Sequence, residues 1–361
     1  LSELVESLVP KAVKKLIPYQ SARRIGGSGR IWLNANELEQ SLFPNEKNGT
    51  FNRYPDFLPQ DIASAYKAYI EGDVETVAVR GADEAIDLLI RTFCQPGHDQ
   101  ILICSPTYAM YEFCADALAI NTLDVPLLSD FNLNVDEIIR QSQNANIVFL
   151  CSPNNPTGNL IPRSDIVSVL EGTKASSLVV VDEAYIEFEL QESVSDLVEA
   201  YPHLVVIRTL SKAFGLAAVR CGFILASAAV MKYVSKLIPP YPMPDSSASI
   251  VLSALTPEGI QTMREATQTL IETREWFIET LSSFECIEHV YPSSTNFVLL
   301  KVQHDIDLFS VLLNNGIVTR NQSHEPALKQ CVRITIGTKE SMLEVIETLT
   351  NYTKTSTVNT K

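Results

Sequence analysis

Leu204-Val-Val-Ile-Arg-Thr-Leu-Ser-Lys-Ala-Phe-Gly-Leu-Ala-Ala-Val-Arg220 decides the reading of this chain. The apolar run Leu204–Ile207 reads as a buried strand. It delivers Lys212 between two hydroxyls, Thr209 and Ser211, with Arg220 eight residues beyond. Hydroxyls and a guanidinium fork match the oxygens of a phosphate. A lysine inside such a cradle is placed to form a Schiff base with a phosphorylated aldehyde, and pyridoxal 5′-phosphate (PLP) is the obvious candidate. A bare Ser-Lys pair is more commonly an ordinary surface feature, and a Ser-Lys hydrolase is a second chemistry open to it. The residues upstream separate these readings.

Between Val77 and Ala226, apolar β-rich runs alternate with helical patterns. The expected strands are Thr76–Val79, Gln100–Cys104, Ile147–Leu150, Leu178–Val181, Leu204–Ile207 and Gly222–Ala226, with helices such as Asp83–Phe93 and Arg163–Leu170 between them. Continuous apolar strands of this kind belong to a wound, mostly parallel α/β sheet buried on both faces. Ligands of such sheets bind beyond the carboxyl ends of the strands.

The turns at those strand ends point to one chemistry. After the first strand comes Arg80-Gly-Ala-Asp-Glu84, where the N–H groups of Ala82 and Asp83 open a helix and favour a phosphate. Next comes Ser105-Pro-Thr-Tyr108, which offers Tyr108 to a planar ring. The turn Cys151-Ser-Pro-Asn-Asn-Pro-Thr-Gly158 is third, where Asn155 can donate to a phenolate oxygen. Asp182-Glu-Ala-Tyr185 ends the fourth strand. A carboxylate closing a buried apolar strand is costly unless paired, and a pyridinium N–H is a fitting partner for Asp182. Tyr185 reaches the same ring edge as Asn155. Each feature alone is an ordinary turn, cap or packing residue, but together they describe a PLP site. A hydrolase reading leaves Asp182, Asn155 and Arg220 unused.

Composition agrees with a globular enzyme. The 361 residues carry a formal net charge of −15, which argues against nucleic acid or an anionic membrane as partner. Seven cysteines, at 94, 104, 114, 151, 221, 286 and 331, are scattered and lack a C-x-x-C, so a reducing cytoplasm is expected. Five histidines show no ligand spacing, and no metal site is expected. Neither a signal-like opening nor a membrane-length apolar run is read. Leu1–Ile17 reads instead as an amphipathic helix broken at Pro10, with Leu4, Leu8, Val13, Leu16 and Ile17 on its apolar face.

Pro239-Pro-Tyr-Pro-Met-Pro244 is a dense breaker cluster that reads as an interdomain connection. Beyond it, a helical stretch (Ser246–Leu281), a strand at Asn296–Leu300, a helix near Asp305–Asn314, a strand at Cys331–Ile336 and a helix over Lys339–Thr350 make an α+β pattern. A further strand-like run, Gly316–Thr319, precedes Arg320. The tail Asn351–Lys361 is polar and expected to fray.

The order Ser152-Pro-Asn-Asn-Pro-Thr-Gly158, Val181-Asp-Glu-Ala-Tyr185 and Ser211-Lys-Ala-Phe-Gly-Leu216 resembles the aspartate-aminotransferase-like PLP enzymes of fold type I. Within that group the chain is similar to the histidinol-phosphate aminotransferase family of class II, over about residues 15 to 350. Ile17-Pro-Tyr-Gln-Ser-Ala-Arg-Arg24, Leu33-Asn-Ala-Asn-Glu37, Asn52-Arg-Tyr-Pro-Asp56, Arg220-Cys-Gly222, Ile238-Pro-Pro-Tyr-Pro242, Arg320 and Val332-Arg-Ile-Thr-Ile-Gly337 carry that finer resemblance. It departs at Ala217-Ala-Val219, where relatives commonly read Ala-Gly-Leu, and at Met243-Pro-Asp245, where relatives vary.

The resemblance implies an α/β large domain with a mostly parallel seven-stranded sheet and a smaller α+β C-terminal domain. The divisions expected are 1–30 (N-terminal arm), 31–240 (PLP-binding domain), 241–352 (small domain) and 353–361 (tail). It implies that Lys212 holds PLP, Asp182 pairs with the ring nitrogen, Asn155 and Tyr185 bind the phenolate oxygen, and Tyr108 stacks on the ring. Ala82, Asp83, Thr209, Ser211 and Arg220 would bind the cofactor phosphate, with Tyr54 from the neighbouring subunit of a homodimer. Arg333 would take the carboxylate of glutamate or 2-oxoglutarate. With Arg320 and Tyr19, and beside Asn155, it would also take the phosphate of histidinol phosphate. Aromatic or broad-range aminotransferases and phospho-amino-acid decarboxylases are the nearest alternatives, and a PLP-binding regulator is one of another class.

Overall fold

The apolar runs fold as strands of one sheet in the computed structural model, which describes residues 2–19, 31–43, 51–56, 58–304 and 306–358. Residues 20–30 of the expected N-terminal arm, Asp305 and residues 359–361 of the tail lie outside the described residues. The strands are β1 (Glu75–Val79), β2 (Gln100–Ile103), β3 (Asn121–Asp124), β4 (Ile147–Cys151), β5 (Leu178–Asp182), β6 (Leu204–Thr209) and β7 (Gly222–Ala226). They form a seven-stranded sheet in the order β1-β7-β6-β5-β4-β2-β3. Strands β2 to β6 pair in parallel, while β7 runs antiparallel to both β1 and β6.

Every residue of β4, β5 and β6 is buried. Alternate side chains feed opposite apolar layers, as the two-residue strand period requires. Phe149 and Val180 pack with Leu88, Phe93 and Tyr111 on one face. Val148, Leu150 and Val181 pack with Tyr66, Val169 and Leu170 on the other.

A second sheet, in the order β10-β11-β9-β8, is antiparallel. It comprises β8 (Ile287–Val290), β9 (Phe297–Val302), β10 (Arg320–Asn321) and β11 (Cys331–Thr335). Phe277 and Leu281 from helix Pro257–Leu281, and Met342, Val345 and Leu349 from helix Lys339–Val358, complete its core.

Several expectations are corrected. The stretch Ser246–Leu281 is two helices, Asp245–Ala254 and Pro257–Leu281. Thr256 accepts from the Gly259 N–H at 3.2 Å and Pro257 opens the next helix, a strong start signal placed inside an apolar pattern. Val251, Leu255 and Met263 pack in the apolar layer against the large sheet. Gly316–Thr319 is not a strand, and the chain joins the sheet only at Arg320. The last helix runs on to Val358, into the stretch expected to fray. At the N-terminus, helices Ser2–Leu8 and Lys11–Lys15 flank Pro10 and bury Val5, Val9 and Val13 against Tyr233 and Val234, while Leu16 and Ile17 are exposed.

Candidate active site

The carboxyl ends of β4, β5 and β6 open into one cavity with about 580 Å³ of empty space. Ala82, Asp83, Tyr108, Asn155, Asp182, Tyr185, Thr209, Ser211, Lys212 and Arg220 all line it. Of the cofactor residues expected from sequence, Tyr54 alone does not. It is 49% exposed and stacks on Tyr241 at 4.6 Å, with its N–H held by Glu37. Tyr19 is exposed and also outside the cavity lining. Arg333 reaches the cavity wall by donating to Asn155 Oδ1. Arg320 is exposed on the neighbouring strand.

The phosphate-like end is built by close packing. Gly81 has φ +82°, and a Cβ there would lie 2.9 Å from Arg220 Nη2. A Cβ on Gly222 would meet the Gly81 carbonyl carbon at 2.7 Å. Only glycine lets helix Ala82–Phe93 begin this close to β7 and to Arg220. No described side chain caps that helix, so its first N–H groups remain available to an anion. Arg220 itself adopts φ +57°, a left-handed conformation uncommon for a side-chain-bearing residue. Its guanidinium donates to Asp83 Oδ2 at 3.1 Å and to the Ala217 carbonyl at 3.1 Å. Asp83 also accepts from the Tyr108 hydroxyl at 2.9 Å, so one carboxylate fixes both the arginine and the aromatic ring. Thr209 and Ser211 are linked by a 3.0 Å hydroxyl hydrogen bond.

The opposite end holds Asp182, 2% exposed. Its Oδ2 accepts from Tyr111 at 2.8 Å and its Oδ1 from the Ala184 N–H at 3.1 Å. Burial pushes this carboxyl up to about 6, against the lowering effect of Tyr111 and the Ala184 N–H. Lys212 lies over the Tyr185 ring, 5.4 Å from its centroid. Burial, and then the Arg333 charge, hold its amine below the usual lysine range, which favours the neutral, nucleophilic form. Arg333 stands over the Phe297 ring at 5.1 Å, and Phe297 meets Tyr185 edge-on at 5.3 Å.

This donor set fits PLP. An amine held below its usual range suits an aldehyde, a buried carboxylate suits a basic ring nitrogen, and uncapped amides with Arg220 suit a phosphate.

Three residues of the lining, Cys151, Ala184 and Ala217, and the buried Tyr111 behind it were not singled out as site residues from sequence. At the end of the apolar run Val148-Phe-Leu-Cys151 a cysteine reads as a small core hydrophobe, and Cys151 is buried, but it also faces the cavity opposite Asp182 in the β4–β5 register. Tyr111 sits on a helix where a buried aromatic reads as packing.

A buried network behind the cavity also escaped the sequence reading. Arg208 donates to Glu183 at 2.6 Å, to Glu187 at 3.3 Å and to Ser193 at 2.8 Å. Arg208 and Glu183 are the residues next to Thr209 and Asp182, pointing to the other face of the sheet, so this ion pair fixes the two strand ends from behind.

This fold and cavity are those of an aminotransferase: the chain belongs to the aminotransferase class I and II family, whose profile matches residues 28–349. Within that class its resemblance is specific. Histidinol-phosphate aminotransferase 1 of Haemophilus influenzae (strain 86-028NP) is 44% identical over 346 residues, covering 96% of this chain and 98% of that protein. Among solved structures, the histidinol-phosphate aminotransferase from Clostridium acetobutylicum superposes with a TM-score of 0.77 at 24% identity, covering 84% of this chain and 91% of that one. The enzyme from Sinorhizobium meliloti, in complex with pyridoxal-5′-phosphate, gives 0.74 at 20% identity, covering 83% of each chain.

Proposed function

We propose that the chain is a PLP-dependent histidinol-phosphate aminotransferase, exchanging an amino group between L-glutamate/2-oxoglutarate and imidazole-acetol phosphate/L-histidinol phosphate in histidine biosynthesis. The observation that carries this reading is the convergence on one cavity of a lysine, a buried aspartate and an uncapped phosphate-type helix start, with Arg333 at its wall.

Bound PLP supplies an aldehyde for the amine and a ring that accepts carbanion charge. Lys212 would hold the cofactor and, as a free amine, would move the proton at the amino-bearing substrate carbon. Its depressed pKa suits that base role. Asp182 holds the ring-nitrogen proton. Tyr185 and Asn155 donate to the ring oxygen. With Asn155 Oδ1 engaged by Arg333, its amide nitrogen is the atom left to donate. Ala82, Asp83, Thr209, Ser211 and Arg220 bind the phosphate, and Tyr108 covers the ring. Arg333, with Arg320 and Tyr19, binds the substrate anion, and arginine forks suit both carboxylate and phosphate.

The reading extends to a cytoplasmic homodimer with shared sites. Ile31, Trp32, Leu33, Leu38, Phe43 and Phe51 are apolar and exposed in two segments, 31–43 and 51–56, the second of which carries Tyr54, and this supports burial against a second copy. All seven cysteines are free, in keeping with a reducing compartment. Among the described residues, no helix is long and apolar enough to cross a membrane, and no cluster of three His, Cys, Asp or Glu residues could hold a metal.

The test is a substrate panel with 2-oxoglutarate as acceptor. Histidinol phosphate is expected to give the highest kcat/KM. Preference for phenylalanine or tyrosine, or carbon dioxide release from a phospho-amino acid, would overturn the assignment.

A further inference from the structure

The hydroxyl of Tyr111 has no role in the chemistry described so far, yet it is the strongest donor on the carboxylate that matters most. Tyr111 is fully buried, stacked on Phe149 at 4.7 Å and edge-on to Tyr108 at 5.8 Å. Those contacts fix the ring so that its hydroxyl meets Asp182 Oδ2 at 2.8 Å. Burial raises the Tyr111 pKa well above the usual range, so its proton stays available for donation.

The groups facing Asp182 come from several elements. Tyr111 stands on the helix after β2, Cys151 on β4, Lys212 beyond β6, and Asp83 at the start of helix Ala82–Phe93. The Ala184 N–H is local. Asp83 opposes ionisation, Lys212 favours it, and burial pushes the Cys151 thiol up to about 12, which keeps it neutral. Burial pushes the Asp182 carboxyl up to about 6, into the range where a pyridine nitrogen also takes a proton. The two therefore compete for a single proton, and each donor to the carboxylate shifts that proton toward the ring.

Resting on the PLP reading above, we propose that Tyr111 is a positioning residue: by donating to Asp182 it keeps the shared proton on the cofactor ring nitrogen and so maintains the electron sink.

The experiment is nitrogen-15 NMR of holoenzyme carrying ring-labelled PLP. Tyr111→Phe retains both ring contacts and removes one hydroxyl. Its ring-nitrogen resonance is expected to move from the protonated toward the neutral-pyridine position, with kcat down about 10- to 100-fold, the span of one hydrogen bond to a charged group. In the apoprotein, infrared spectra should show the Asp182 carboxyl band persisting to higher pH in Tyr111→Phe than in wild type. An unchanged resonance and an unchanged infrared titration in Tyr111→Phe overturn the inference alone. Wild-type protein that takes up no labelled PLP overturns it together with the function on which it rests.

Discussion

Arg320 and Arg333 stand directly opposite one another across the antiparallel ladder of β10 and β11. Like charges in that relation repel. Desolvation and then Arg320, set against favourable tyrosine partners, hold Arg333 below the usual arginine range. The repulsion is relieved when an anion sits between the two. Arg320→Ala and Arg333→Ala are each expected to lower kcat/KM for histidinol phosphate by on the order of 2–4 kcal/mol, with the cofactor spectrum retained. Inorganic phosphate should raise the Tm of wild type more than that of either variant. Near wild-type kcat/KM in both variants would move the substrate assignment elsewhere.

Lys212→Ala is expected to abolish turnover while the protein still takes up PLP loosely. Borohydride treatment of wild-type holoenzyme, followed by peptide mass spectrometry, should find the cofactor on the peptide containing Lys212. Attachment at another lysine would refute the site.

Asp182 gives the apoprotein a distinctive pH dependence. Its ordinary value is 3.8, and burial pushes it up to about 6 in the folded chain. Between those values the folded state binds more protons than the unfolded one, so stability falls as pH rises, by on the order of 3 kcal/mol in total. Glu187, pushed up to about 7, adds a slope of the same sign in wild type and variant alike. Apo Asp182→Asn should therefore lose less stability between pH 4 and pH 7 in urea titrations, while binding PLP more weakly. Parallel slopes in the two proteins would refute the buried-carboxylate account.

The assembly is tested through Tyr54. Light scattering is expected to give twice the 40.0 kDa chain mass. Tyr54→Phe should raise the Kd for PLP about tenfold, as loss of one hydrogen bond to a phosphate predicts. A fully active monomer would exclude a shared site.

Removing the cation of the buried network is expected to be costly. Arg208→Met leaves Glu183 and Glu187 without their partner and should destabilise the fold by about 3–5 kcal/mol. Adding Glu183→Gln should recover part of that loss in the same denaturant assay. No recovery would place the effect in packing rather than charge.

The strands β4 to β7 were legible because long runs of Val, Ile and Leu have no other stable place than a sheet covered on both sides. Strands β3, β8 and β10 were not. Asn121–Asp124 is short and polar at three of its four positions on the sheet edge, Ile287–Val290 contains a register shift against β9, and Arg320–Asn321 is two exposed polar residues. Edge strands take their stability from a neighbour, and their sequence need not announce them. The cavity residues at and just beyond the strand ends were readable for the opposite reason: Asp182, Asn155 and Lys212 are polar groups following apolar runs. Tyr111 hid because its ring belongs to the core and only its oxygen belongs to the site.

Strand β10 is a two-residue margin of the small sheet, whereas Asp182 and Lys212 issue from the fully buried centre of the large one. Exposed residues at a sheet margin tolerate replacement with little effect on folding, and buried central ones do not. If Arg320 binds the substrate's anion as proposed, it and the residues proposed for proton transfer are thus exposed to selection unequally. On that reading, changes at residue 320 would alter the molecule aminated while the reactive centre stayed untouched, so divergence in diet is expected to outpace divergence in chemistry.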